Sequence, residues 1–178
     1  FPTGTQANLA GLMAHCERGA EYIVGQMAHT YRLEGGGAAV LGSIQPQPLP
    51  NEPDGTIALD AIANAIKPND FHFAMTRLLA LENTFNGLVL PDSYLEAATG
   101  LARSRGLATH LDGARLMNAA AASNRDAAWI AGQFDTVSLC LSKGLGAPVG
   151  SILVGPKAFI EKARRIRKML GGGMRQTG

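Results

Sequence analysis

Residues 136–156 read Thr136-Val137-Ser138-Leu139-Cys140-Leu141-Ser142-Lys143-Gly144-Leu145-Gly146-Ala147-Pro148-Val149-Gly150-Ser151-Ile152-Leu153-Val154-Gly155-Pro156. A β-prone run, Thr136 to Leu141, enters a glycine-rich loop, and a second run, Ser151 to Val154, leaves it. Pro156 suits the first turn of a helix that continues to about Met169. Phe159, Ala163, Ile166 and Leu170 form the apolar stripe of that helix. Lys143 stands where the first strand gives way to glycine. Two readings of it are open at this point: a surface lysine in a loop, or an amine that loses its charge by desolvation and attacks a carbonyl.

Working outward, the same alternation recurs. Thr5 is expected to N-cap a helix through about Arg18, with Leu9, Leu12, Met13 and Cys16 at helical spacing. Glu21 to Val24 reads as a strand, Thr30 to Gly35 as a short helix, and Ala39 to Ile44 as a strand. Pro46, Pro48, Pro50 and Pro53 make residues 45–56 an extended loop. Leu59 to Ile66 is helical. Arg77 to Leu81 has the nearly continuous apolar character of a strand buried on both faces. Asp92 to Arg105 is a helix and Leu107 to Leu111 a strand. Strands alternating with helices predict an α/β domain built on a mainly parallel sheet.

Composition narrows the class. The 178 residues suffice for one domain with a real core; 46% are hydrophobic and 17% charged, which argues against disorder. A net charge of +2 gives no reason to expect a nucleic-acid partner. Arg164, Arg165, Arg167 and Lys168 read as a solvated or subunit-facing helix surface, without interleaved aromatics. No apolar run is long enough to span a membrane. Two cysteines, Cys16 and Cys140, build no disulfide framework, and the expectation is a cytoplasmic protein. Phe1-Pro2-Thr3-Gly4-Thr5 reads as a strand end turning into a helix, and Gly171 to Gly178 as a loop in mid-course. The chain is therefore expected to be an internal piece of a longer protein.

Ligands of open α/β sheets sit beyond the carboxyl ends of the strands. Polar groups fall at several such ends: Thr3-Gly4-Thr5, Glu82-Asn83-Thr84, Asp112 to Arg115, and Ser142-Lys143. Thr3-Gly4-Thr5 reads either as a plain helix cap or as a phosphate cradle. Asp112 and Arg115 read either as a structural ion pair or as a carboxylate for a cationic ring nitrogen with a guanidinium beside it. His29 follows a strand and can reach the rim. His72, in Phe71-His72-Phe73, is as compatible with burial as with function, and His15 with packing or surface. No histidine pair has zinc spacing, so no metal is expected. Gly144-Leu145-Gly146 fails as a dinucleotide fingerprint because the next glycine falls at Gly150, and Ser142-Lys143-Gly144 has the wrong order for a P-loop.

Several of these segments together resemble one family. His110-Leu111-Asp112-Gly113-Ala114-Arg115 with Leu116-Met117-Asn118-Ala119, the Lys143 loop from Leu141 to Gly150, Phe1 to Asn8, and Gly171-Gly172-Gly173-Met174-Arg175-Gln176 are similar to the low-specificity L-threonine aldolases. The resemblance implies the three-layer large domain of fold type I pyridoxal-phosphate enzymes, without the family's amino-terminal segment and smaller carboxy-terminal domain. It implies cleavage of L-threonine or L-allo-threonine, a small β-hydroxy amino acid, to glycine and acetaldehyde. Lys143 would hold pyridoxal 5'-phosphate as a Schiff base, Asp112 would pair with the pyridine nitrogen, and Gly4 and Thr5 would bind the phosphate. His29 would stack on the ring, Arg115 would lie beside cofactor and substrate carboxylate, and His72 would approach the β-hydroxyl. His29 and His72 are alternative bases. Lys168 and Arg175 match positions that reach toward a neighbouring subunit's cofactor in a homo-oligomer, dimer or tetramer. Phe85 stands where the family often has histidine. The other readings are a different fold type I lyase or aminotransferase, or a non-catalytic fragment that binds cofactor or associates with other subunits.

Overall fold

In the computed structural model, which describes residues 1–175, helices and strands alternate along the chain. The order is α1 (Gly4–His15), β1 (Ala20–Gly25), α2 (His29–Arg32), α3 (Gly37–Val40), β2 (Gln45–Leu49), α4 (Leu59–Ala65), β3 (Met75–Glu82), α5 (Asp92–Ser104), β4 (Ala108–Asp112), α6 (Leu116–Ser123), α7 (Ala127–Gly132), β5 (Thr136–Cys140), β6 (Ser151–Val154) and α8 (Lys157–Met169). The strands form one sheet in the order β2-β1-β3-β4-β5-β6. The first five are parallel, and β6 runs antiparallel to β5. Parallel neighbours need crossover connections, and the intervening helices supply them.

Side-chain alternation along the strands divides the core between two faces. Tyr22 and Val24 of β1 and Leu78 and Ala80 of β3 pack against Leu12 of α1 and Cys16, the residue that caps its end. Their neighbours Ile23, Leu79 and Leu81 point the other way, with Leu111, onto Ile62, Leu95, Ala98 and Ile130 of α4, α5 and α7. Ala163 and Ile166 of α8 close over Ala10 and Ala14 of α1 and Leu153 of β6. The result is helix, sheet, helix. Each fully buried leucine or isoleucine in it stabilises the fold by about 1.5–3 kcal/mol.

Three expectations need correction. Residues 45–56 are not all loop, because Gln45–Leu49 forms the edge strand β2. Pro46 and Pro48 pair with Tyr22 and Val24, and an edge strand tolerates proline because only one side of its backbone is bonded. The strand expected over Ala39 to Ile44 is instead the short helix α3 and a turn. The cap of α1 is Thr3, whose hydroxyl accepts from the Gln6 amide at 3.1 Å, and not Thr5. The loop expected from Gly171 onward is helix-free over its described part, and Gln176 to Gly178 lie outside the described residues.

Candidate active site

The carboxyl ends of β1, β3, β4 and β5 share one rim of the sheet because these strands are parallel. A cavity of about 240 Å³ opens there, lined in part by Thr3, Gly4, Thr5, Asn8, His29, Glu34, Asp112, Ser142 and Lys143. Each element contributes at its terminus. The first turn of α1 brings Gly4 and Thr5, whose backbone N–H groups have no partner within the helix. Gly4 is required by close packing, since a Cβ there would lie 2.8 Å from the Cys140 sulfur. The end of β4 brings Asp112, the loop after β5 brings Lys143, and the turn after β1 brings His29.

A chain of hydrogen bonds ties these groups together. His29 Nδ1 stands 3.0 Å from Glu34 Oε1, and the His29 backbone N–H donates to Glu82 at 2.8 Å. Asn8 donates from its amide nitrogen to Glu34 Oε1 at 3.0 Å and to Asp112 Oδ2 at 2.8 Å. The other oxygen of Asp112 accepts from the Ala114 N–H at 3.1 Å. Behind Asn8, its carbonyl oxygen accepts from Ser138 Oγ at 2.5 Å and faces His110 Nε2 at 3.4 Å. Thr136 Oγ1 links His110 Nδ1, at 2.9 Å, with His15 Nε2, at 2.7 Å. Gly11 makes room for the imidazole of His110, because a Cβ on it would stand 3.0 Å from the ring.

The electrostatics follow from burial. Burial pushes Glu34 up to about 7, with the Asp112 charge adding to it against the Asn8 and His29 hydrogen bonds. Burial, then the Asp112 charge, pushes Glu82 up to about 7. The same desolvation lowers His15 to about 4 and His110 to about 3, so both rings are neutral at pH 7. The rim therefore gathers three carboxyl groups, with Lys143 the lysine that lines the cavity. His29 Nδ1, Glu34 and Asp112 have ligand atoms within 4.8 Å of one another, but the Asn8 amide already bonds one oxygen of each carboxylate.

Among the residues singled out from the sequence, Gly4, Thr5, His29, Asp112 and Lys143 meet in this cavity. Arg115 does not line it; it is exposed on the same rim, at the start of α6, and forms no ion pair with Asp112 among the described residues. Within this chain His72 does not join them. It precedes β3, so it lies at the amino edge of the sheet, roughly 25 Å of strand from the rim. There it is exposed and bonded to Asp70 at 2.7 Å. Lys168 on α8 and Arg175 beyond it also lie outside the cavity lining. Phe85 is buried in the core beside Gly55. Asn8 and Glu34 were missed as site residues. Neither sits at a strand end, and only the polar spacing of Asn8 within an apolar helix hinted at a role.

A sequence model of the beta-eliminating lyases matches residues 1–178. The chain belongs to the beta-eliminating lyase family. It is 60% identical over all of its 178 residues to the low specificity L-threonine aldolase of Escherichia coli K12, covering 54% of that protein. It is 45% identical to low-specificity L-threonine aldolase 1 of Arabidopsis thaliana, over 99% of this chain and 51% of that one. The chain thus spans about half the length of these relatives. Among solved structures, threonine aldolase of Leishmania major superposes with a TM-score of 0.85 at 26% identity, over 96% of this chain and 50% of that one. An aspartate aminotransferase variant of Thermus thermophilus, 17% identical, shares the fold with a TM-score of 0.72 over 95% of this chain and 44% of its own. Among the described residues, no helix is long and apolar enough to cross a membrane.

Proposed function

We propose that the full-length protein is a pyridoxal-phosphate-dependent aldolase that cleaves L-threonine or L-allo-threonine to glycine and acetaldehyde, with this chain as its cofactor-binding large domain. One observation carries the reading: a single cavity joins a helix N-terminus, a buried carboxylate and a lysine amine. That donor set fits a ligand anionic at one end and cationic at the other. The first turn of α1 suits a phosphate dianion, and Asp112 suits a protonated ring nitrogen. The high identity to named threonine aldolases supports the same choice.

Bound there, pyridoxal phosphate supplies an electron sink for the breaking Cα–Cβ bond. Gly4 and Thr5 would hold its phosphate, Lys143 would carry it covalently, and Asp112 would keep a proton on the ring nitrogen by charge pairing. Arg115, exposed beside the rim, is our assignment for the substrate carboxylate. His29 would serve as the base. With Nδ1 3.0 Å from Glu34 Oε1, a proton on Nδ1 would be donated to that carboxyl group, which would leave Nε2 bare to take the β-hydroxyl proton as acetaldehyde departs. The edge position of His72 favours His29 over it. We further propose a cytoplasmic homo-oligomer with its sites near subunit interfaces, toward which Lys168 and Arg175 would extend.

The test is incubation of the full-length protein with pyridoxal phosphate and L-allo-threonine or L-threonine. Acetaldehyde and glycine are expected in equal amounts. Release of a keto acid or ammonia instead would point to another lyase or an aminotransferase, and the aldolase reading would fall.

A further inference from the structure

Two buried carboxylates, Glu34 and Asp112, face one neutral amide, that of Asn8. The amide has two N–H bonds, and both are used: one on Glu34 Oε1 at 3.0 Å and one on Asp112 Oδ2 at 2.8 Å. Turned over, the carboxamide would set a third oxygen against two carboxylate oxygens. Its orientation therefore matters, and something must select it, because the oxygen and nitrogen ends of asparagine have nearly the same shape.

The selection comes from behind. Asn8 Oδ1 accepts from Ser138 Oγ at 2.5 Å and faces His110 Nε2 at 3.4 Å. A bare Nε2 would oppose that oxygen, so Nε2 carries the proton. The ring is fully buried and neutral, so Nδ1 is bare and takes the proton of the Thr136 hydroxyl, 2.9 Å away. The Thr136 oxygen is then free to accept from His15 Nε2–H at 2.7 Å. Every donor along the line from His15 Nε2 to the Asn8 amide points toward the cavity.

We propose that Asn8 and His110 are positioning residues for Asp112: the His110 ring, protonated at Nε2, fixes the Asn8 carboxamide so that its two N–H bonds hold Asp112 and Glu34 apart and in place. With Ala114 N–H on Oδ1 and Asn8 on Oδ2, the Asp112 carboxylate has one allowed plane. This rests on the functional reading above only in assigning Asp112 to the cofactor's ring nitrogen.

The experiment uses the full-length protein and three measurements. The first is the tautomer of His110, read from nitrogen-15 histidine spectra of the wild type without cofactor at pH 7. A neutral Nε2–H ring is expected; an Nδ1–H ring or an imidazolium overturns the proposal. The second is pyridoxal phosphate affinity, by absorbance titration. Asn8→Ala and His110→Ala are expected to weaken it roughly tenfold or more, as loss of a hydrogen bond to a charged group does. His110→Gln, which restores an N–H near the position of Nε2, is expected to stay within about threefold of the wild type. The third is turnover of L-allo-threonine, where Asn8→Ala is expected to lower kcat roughly tenfold while KM moves less than about threefold. Unchanged affinity and kcat in Asn8→Ala, or a folded His110→Gln as impaired as His110→Ala, overturns the proposal. If the wild type releases no acetaldehyde but cofactor affinity follows the stated order, the aldolase reading fails and the positioning role stands.

Discussion

His29 and Glu34 lie five residues apart, and Nδ1 of the imidazole stands 3.0 Å from Oε1 of the carboxyl group. The Glu34 side chain is almost wholly buried, whereas that of His29 is about a third exposed toward the cavity. A buried acceptor thus aims a half-buried ring. Removing the acceptor frees the ring to turn and to exchange tautomers. Glu34→Ala is expected to lower kcat of the full-length protein by tenfold to about a hundredfold, the range for a lost charge-assisted bond. Glu34→Gln keeps an acceptor oxygen and is expected to lose less. Equal kcat in wild type and Glu34→Ala, measured with saturating cofactor, would remove the orienting role.

The same carboxyl group has a pH signature in stability. Glu34 and Glu82 are held up to about 7 in the folded chain, mainly by burial, against an ordinary value near 4.5. Between those values the folded state holds more protons than the unfolded state, so their contribution falls as pH rises. His110 and His15, lowered by burial to about 3 and about 4 from 6.5, act oppositely. They take up protons on unfolding, so stability is lost as pH falls below about 6.5. The two effects overlap, and a difference measurement separates them. Glu34→Gln is expected to gain melting temperature relative to the cofactor-free wild type as pH rises from about 4.5 to about 7. A difference that is flat with pH would show that Glu34 is not the group responsible.

His72 and His29 make a direct comparison. His72 is exposed at the amino edge of the sheet, and His29 lines the cavity at the opposite rim. His72→Ala is expected to leave kcat within about twofold, whereas His29→Ala is expected to cost about 100-fold or more, as for a general base. Steady-state kinetics on both variants decides. A large loss in His72→Ala would mean that a second subunit brings this histidine to the site.

Lys143 supplies the covalent test. Borohydride reduction of the full-length protein with pyridoxal phosphate, followed by peptide mapping, is expected to label the peptide that holds Lys143. Lys143→Ala is expected to abolish that label while leaving the circular dichroism spectrum unchanged, because the loop lies outside the core clusters. A reducible adduct on another lysine would contradict the assignment.

Most of the fold was legible in the sequence. The run from Arg77 to Leu81, the strand over Ser151 to Val154, and Pro156 at the head of α8 all follow local rules of burial and backbone geometry. β2 was hidden because prolines argue against a strand unless it lies at an edge, and edge position is a property of the sheet order. Ala39 to Ile44 reads as a strand because it is short and apolar, and periodicity does not resolve such a run from the end of the helix α3 and the turn found there.

The candidate site divides along the same line. Lys143, Asp112 and the Thr3-Gly4-Thr5 turn each follow or precede a regular element, so the sequence alone determined that they stand at element ends and therefore near one rim. It also determined the family, because long motifs occur in order. Only the tertiary structure decided which groups meet. Asn8 and Asp112 are 104 residues apart, and Glu34 joins them through an amide that no local pattern marks. It also decided that His72 stands, within this chain, at the edge opposite the cavity, since the direction of β3 within the sheet places it there. The physical reason is that periodicity records which face a residue takes along its own element. The partner of a buried polar group is set by whichever remote side chain the packed elements bring within hydrogen-bond reach.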